Sequence, residues 1–185
     1  MKKILILTLL AFLTFSNVFA SGVIDPSFHT TVVGGFRGAV ARDGKIIVAD
    51  SFNEANGFFR PAYRLNPDGS IDTTFNPPML PALSAPGIDG LEIQTVGVQS
   101  DGKIILGGHF QGPRFGILRL NQDGSLDTAF NDNSGIADVT HVYDLQVLPD
   151  DKIVFGGIRL PYSEIIRVLN PDGSVNINKI GRAHV

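Results

Sequence analysis

Two short motifs recur three times in fixed order along this 185-residue chain, and that arrangement limits the fold more than any other feature. The first motif reads DGKIIVAD at residues 43–50, DGKIILGG at 101–108 and DDKIVFGG at 150–157. The second reads RLNPDGSIDTTF at 64–75, RLNQDGSLDTAF at 119–130 and VLNPDGSVNINK at 168–179. A lone copy of the second motif's tail, SGVIDPSF, occupies residues 21–28. The motif lysines Lys45, Lys103 and Lys152 are 58 and 49 residues apart, and the turn glycines Gly22, Gly69, Gly124 and Gly173 are 47, 55 and 49 apart. A self-similar period of roughly 40–50 residues marks propellers and related arrays, in which each unit is too thin to cover its own apolar surface.

Each unit reads as β structure. The runs IIV (46–48), IIL (104–106) and IVF (153–155) are short, mostly β-branched and apolar at every position. A half-exposed strand would alternate, whereas a strand covered on both faces need not. A weaker alternating segment precedes each run: Ala39-Val40-Ala41, Val96-Gly97-Val98 and Leu145-Gln146-Val147. A turn rich in Asp and Gly separates the two, as a hairpin requires. A third strand is expected to end at Leu65, Leu120 and Leu169. An Asn-x-Asp-Gly turn follows, then a short fourth strand carrying Ile71, Leu126 or Val175. Nothing between the leader and the last motif shows a 3.6-residue apolar period. The expected class is all-β: a partial β-propeller of about three four-stranded blades plus an N-terminal lone strand, an open fragment of a larger ring. The repeats span 36–75, 94–130 and 142–179, with 21–28 as the lone fourth strand. A β-sandwich would alternate in most strands, and a barrel has no need of such a repeat.

Three blades are fewer than the four to eight of a typical ring. The last sheet edge is therefore expected to stand open and to favour self-association.

DGKIILGGHF followed by FGILRLNQDGSLDTAF resembles the delta-60 repeat family, whose repeats occur in large exported bacterial proteins and are considered propeller-like. The resemblance covers essentially all of residues 21–179. It implies a fold and an exported location, and it carries no established biochemical activity. The departures are local: Asp50 and Asp151 replace glycines, and the third copy decays at residues 176–179.

The two ends read differently. Lys2 and Lys3 precede an apolar run at 4–15, and Val18-Phe19-Ala20 supplies a small residue at a cut, so residues 1–20 read as a cleaved secretory signal peptide. The run is shorter than the roughly 20 residues a membrane span needs. No membrane insertion is expected after cleavage, and the product is expected outside the cell, at its surface or in the periplasm. Residues 180–185, IGRAHV, match the translation of a common sequencing-library adapter and are expected to be a read-through rather than part of the repeat.

Composition narrows the function. With no cysteine, the chain has no disulfide scaffold, thiolate metal site or cysteine nucleophile. Losing Lys2 and Lys3 with the leader leaves 13 basic and 18 acidic side chains, a charge of −5, so nucleic acid has no electrostatic claim on it. The large apolar content, 43%, excludes intrinsic disorder.

Candidate chemistry is sparse, and no catalytic, cofactor-binding or metal-ligating residue is assigned. A calcium loop would use Asn66, Asp68 and Asp72, with Asn121, Asp123 and Asp127 in the second copy. Its first ligand position is Arg64, Arg119 or Val168, and a guanidinium has no acceptor. Asn170, Asp172 and Asn176 lose a carboxylate as well. These residues are expected to bond their own turns, while Arg64–Asp72 and Arg119–Asp127 form one exposed structural ion pair per blade. His29, His109 and His141 lack metal-ligand or acid–base spacing and read as loop or surface histidines. Gly107-Gly108 and Gly156-Gly157 are expected to permit a bulge or close blade contact.

Segments 51–60, 76–89 and 110–114 vary between copies. Phe52, Phe58, Phe59 and Phe110 are expected to cap blade ends, with a carbohydrate or peptide platform as the other reading. The expected function is a non-enzymatic exported scaffold presenting loops to an unknown protein or glycan ligand, without cofactor. The alternative is a fragment of a lyase or glycoside hydrolase of propeller type, with acids converging on a central channel.

Overall fold

The computed structural model describes residues 26–34, 37–53, 58–81, 92–109, 116–130, 136–161 and 163–176. The expected leader at 1–20, residues 21–25 of the expected lone strand and the adapter-like segment at 180–185 lie outside the described residues, and residues 26–28 hold a turn rather than a strand. All regular structure among the described residues is β. Strands β1 (Arg37–Val40), β2 (Ile46–Asn53), β3 (Phe58–Leu65) and β4 (Leu80–Pro81) form the first sheet. β5 (Glu92–Val98), β6 (Ile104–His109) and β7 (Ile117–Leu120) form the second. β8 (Val139–Val147), β9 (Ile153–Arg159) and β10 (Ser163–Leu169) form the third. Every pairing is antiparallel, and in each sheet the strands lie side by side in chain order.

The register repeats between sheets. Val40 pairs with Ile46, Val98 with Ile104 and Val147 with Ile153. The hairpin between the first two strands closes through Ala41 N–H to Lys45 O (2.8 Å), Gln99 N–H to Lys103 O (2.9 Å) and Leu148 N–H to Lys152 O (2.8 Å). Gly44 and Gly102 stand at φ 82° and 80° there, and Asp151 takes the same left-handed conformation at 61°. The fourth strand is smaller than expected. Ile71, Leu126 and Val175 each make one isolated bridge back to the end of the third strand. The reason is local: Asp72, Asp127 and Asn176 at once donate their N–H to Arg64, Arg119 and Val168 O, which closes the turn after one pair. In the first sheet the insertion at 76–89 fills part of the fourth position with β4. β5 and β8 begin at Glu92 and Val139, ahead of the short alternating segments at 96–98 and 145–147.

The sheets stack face to face. β5 lies against β1 and β2, while β8 lies against β5 and β6. Side chains alternate along a strand, so β6 sends Ile104 and Leu106 to one neighbour and Ile105 to the other. Ile47, Ala49, Phe75, Ile93, Ile104, Leu106 and Leu120 share one apolar cluster. Ile105, Ile117, Phe130, Val142, Ile153, Phe155 and Leu169 share the next. Each fully buried Ile, Leu or Phe contributes about 1.5–3 kcal/mol relative to exposure, which one thin sheet cannot obtain alone. The terminal sheets show the converse. Ile46 and Val154, equivalent to buried Ile104 and Ile105, are only half-buried, and Ile166 is 57% exposed.

Consecutive units are also clasped at their turns. Asn76 N–H donates to Asp123 O (2.9 Å), and a Cβ on Gly124 would lie 2.8 Å from that nitrogen. His29, just past the expected lone strand, makes the same bond to Asp68 O (2.8 Å) over Gly69. Gly69 and Gly124 thus serve twice, through φ values of 86° and 93° and through the backbone that presses on them. These are stacked blades of an open, partial β-propeller.

Candidate functional site

The second motif builds a polar unit inside each of the first two sheets. Arg64 Nε donates to Asp72 Oδ2 (2.8 Å), and Lys45 Nζ reaches the same oxygen at 2.5 Å. Arg119 repeats this with Asp127 (Nε to Oδ2, 3.0 Å), with Lys103 Nζ at 3.3 Å. The guanidiniums lie over Phe75 and Phe130, 4.9 and 4.4 Å from the ring centroids. Arg64 and Arg119 are 8% and 7% exposed, and Asp72 and Asp127 are 5% and 8% exposed, so the expectation of exposed pairs is corrected. The stacked neighbour covers them. Burial alone pushes the Asp72 and Asp127 carboxyls up. For Asp72 the hydrogen bonds from Lys45, Thr74 and Arg64 outweigh it, and for Asp127 the charge and hydrogen bonds of Arg119 and Lys103 do. Both carboxyls therefore sit below the usual carboxylate range. In the third copy Val168 and Asn176 replace the pair together. Asn176 Nδ2 donates to Asn170 Oδ1 (3.1 Å), Lys152 turns to Asp150, and Arg167 forms a bidentate pair with Asp138 at 2.8 Å.

The calcium-like residues serve their turns. Asp68, Asp123 and Asp172 each accept from the N–H (2.9 Å) and hydroxyl (2.7 Å) of Ser70, Ser125 and Ser174. Asn66, Asn121 and Asn170 donate to the same serine hydroxyls at 2.9 Å. Asp72 and Asp127 point to their arginines instead. No group of three or more metal-ligating side chains occurs among the described residues.

The first strands β1, β5 and β8 are the free inner edges of their sheets, and together they line a groove of about 460 Å³. Matched positions opposite Ala49, Gly107 and Gly156 carry Arg37, Thr95 and Asp144. Arg37 Nε donates to Gln94 O, and Thr95 Oγ1 donates to Asp144 Oδ1 (3.1 Å), so side chains cross both blade junctions here. β5 bulges at Gln94 and β8 at Tyr143. Gln94 Oε1 is buried beside this groove with no hydrogen-bond partner among the described residues, and Tyr143 is 51% exposed.

The bulges explain the second glycine of each pair. A Cβ on Gly108 would lie 1.9 Å from Glu92 O, and one on Gly157 would lie 2.0 Å from His141 O. A Cβ on Gly107 would press on Val142 across the junction at 2.7 Å. Both expected roles, bulge and close blade contact, are present.

The same geometry unites two histidines that sequence spacing left apart. The rings of His109 and His141 stack with centroids 3.9 Å apart, and Tyr143 follows at 6.2 Å. His109 ends β6, and His141 leads into the bulge of β8. Burial, then the neighbouring His109, lower the His141 imidazole below its ordinary value, against an opposing pull from Glu92. The one signal in the sequence was the repeat itself: aligned on the double glycines, His109 falls at a blade end facing the next unit. His29 lies in the N-terminal tail. Phe58 is 43% exposed and Phe59 packs on the first core cluster, while Phe110 and the side chain of Phe52 lie outside the described residues.

A family model for a β-propeller domain of unknown function, DUF5122, matches residues 41–75 and 99–130. Each match runs from the first hairpin turn through the Arg–Asp–Phe unit. This chain is similar to a β-propeller repeat family. The matched blades are the two that keep the buried arginine and aspartate. No curated protein matches the chain.

Proposed function

We propose that the chain is an exported, non-enzymatic propeller scaffold of the delta-60 kind, presenting blade-end loops and its inner groove to a protein or glycan ligand. One observation carries this reading: the matched inner position is basic, neutral and acidic in successive blades (Arg37, Thr95, Asp144), while the framework around it repeats. Acid–base hydrolysis of a glycoside uses two facing carboxylates. A recognition surface instead gains selectivity from dissimilar groups on a rigid frame. The segments 51–60 and 110–114 vary in sequence and length between copies, whereas the strand registers on either side repeat.

The test is a glycan array and an extracellular-protein panel probed with the chain. Expected is binding to a defined class that weakens at least tenfold when residues 110–114 become a Gly/Ser linker of equal length, with the melting temperature unchanged. Polysaccharide turnover abolished by Asp144→Asn would overturn the proposal.

A further inference from the structure

The two blade junctions are copies of one design, and they differ at one place. At the junction of the second and third blades, Gln99 extends into the cleft beneath the hairpin turns. Its Oε1 accepts from Arg119 Nη1 (3.0 Å), and its Nε2 donates to Asp151 O (3.0 Å) and Pro171 O (3.1 Å). The rim is then closed by Asp151, whose carboxylate accepts from the N–H of Ser100 (2.7 Å) and from its hydroxyl. Gln99 is 3% exposed, so the amide is a buried, fully used plug.

At the junction of the first and second blades the plug and the rim are both missing. Ala41 stands where Gln99 does, and Gly102 stands where Asp151 does. A pocket of about 170 Å³ occupies the place, lined by Ala41, Arg42, Ile47, Arg64, Gly102 and Gln122 among others. The receptor groups persist. Arg64 Nη1 donates to Gln122 O as Arg119 Nη1 does to Pro171 O. Arg119 Nη1 has a second bond, to Gln99, and Arg64 Nη1 has no counterpart of it among the described residues. Arg64 is 8% exposed, so the second N–H on Nη1 is largely buried and has no acceptor among the described residues. The carbonyl of Gly102 matches that of Asp151. One donor and two acceptors therefore converge at this pocket, where the Gln122 side chain lies against Gly102, within 3.3 Å of the place its Cβ would take.

We infer that the Ala41 pocket is a binding site for a primary carboxamide, its oxygen accepting from Arg64 Nη1 and its nitrogen donating to the carbonyls of Gly102 and Gln122. The complement is that of Gln99, one acceptor and two donors in one plane. Free glutamine and a glutamine side chain on a peptide both supply this group. A carboxylate of the same shape lacks the donors and would face two carbonyl oxygens. The site lies at the hairpin-turn ends of the strands, opposite the ends of β2 and β6 at Asn53 and His109, and stands independently of the loop-presenting reading.

The test is an NMR titration of the chain with acetamide, glutamine, glutamate and an N-acetylated, C-amidated Gly-Gln-Gly peptide. Expected are saturable shifts at Ala41, Gly102 and the Arg64 Nε–H, in the millimolar range because so few atoms are bound. Glutamate should give at least tenfold weaker shifts. A stronger response to glutamine than to the peptide assigns the site to the free amino acid, and the reverse to a peptide, each in keeping with the site. Ala41→Gln should abolish the response and raise the melting temperature by supplying the plug in cis. Gly102→Asp, which Asp151 shows to be compatible with the turn, should weaken the response by closing the rim. Shifts absent for every amide, unchanged by both variants, or equal for glutamate would overturn the site and leave solvent as its sole occupant.

Discussion

At the residue scale, the motif RLNxDGSxDxxF is a wiring plan. Its arginine, aspartate and phenylalanine meet in space as ion pair and ring, its leucine enters the core, and its Asn, Asp and Ser close the turn around the glycine. Removing one charge of a buried pair leaves the other uncompensated and costs about 3–5 kcal/mol, whereas replacing both is far milder. The third blade already carries that double replacement as Val168 and Asn176. Asp127→Asn is therefore expected to destabilise strongly, and Arg119→Val with Asp127→Asn by less than the sum of the single changes. Urea unfolding of the four-member cycle measures this coupling. The histidine stack gives a second expectation. The His141 pKa is lowered on folding, so the unfolded chain binds the proton more readily. This contribution to stability is present above the ordinary value of 6.5 and is lost as pH falls through the lower folded value. The urea midpoint is expected to drop as pH falls below about 6.5, and to drop less in His141→Asn, whose side chain does not titrate there.

At the level of strands, the inner bulges decide which glycine matters. Gly156 and Gly157 are adjacent, yet a Cβ on Gly156 meets nothing closer than Ile165 O at 4.0 Å, while one on Gly157 strikes His141 O at 2.0 Å. Gly156→Ala should leave the melting temperature within a few degrees of the parent. Gly157→Ala should cost more than the roughly 1–3 kcal/mol of ordinary overpacking, because backbone and not a flexible side chain must move. Strand starts at Ile46, Ile104 and Ile153 were legible because an Asp-Gly-Lys or Asp-Asp-Lys turn and a continuous apolar run fix their position. The fourth strand was misjudged because one apolar residue between two turns looks like a strand, although the Asp72 and Asp127 turns end it after a single bridge. The pairing of His109 with His141 was illegible because their nearness depends on bulges in β5 and β8, which are set by contacts between blades. Buried ion pairs were mistaken for exposed ones for the same reason: the cover comes from the neighbouring unit, not from local sequence.

Across the whole molecule, burial follows position in the stack. Ile105 in the middle sheet is 0% exposed, whereas Val154 and Ile46 at the ends are half-covered and Val40 and Ile166 are 71% and 57% exposed. Apolar sheet faces left open at both ends favour association. Sedimentation is expected to show concentration-dependent oligomers that shrink on Ile166→Lys, and a concentration-independent monomer would count against this. The central claim is that successive sheets lie face to face and shield one another. An ideal Cβ on Gly97 lies 3.7 Å from Val147 Cβ across the second junction, within disulfide reach, and the chain has no cysteine to compete. Oxidation of the Gly97→Cys, Val147→Cys variant, followed by peptide mapping, is therefore the most direct test. Near-complete intramolecular linkage with higher thermal stability is predicted, and thiols that stay free or link only between molecules would contradict the stacking of these sheets.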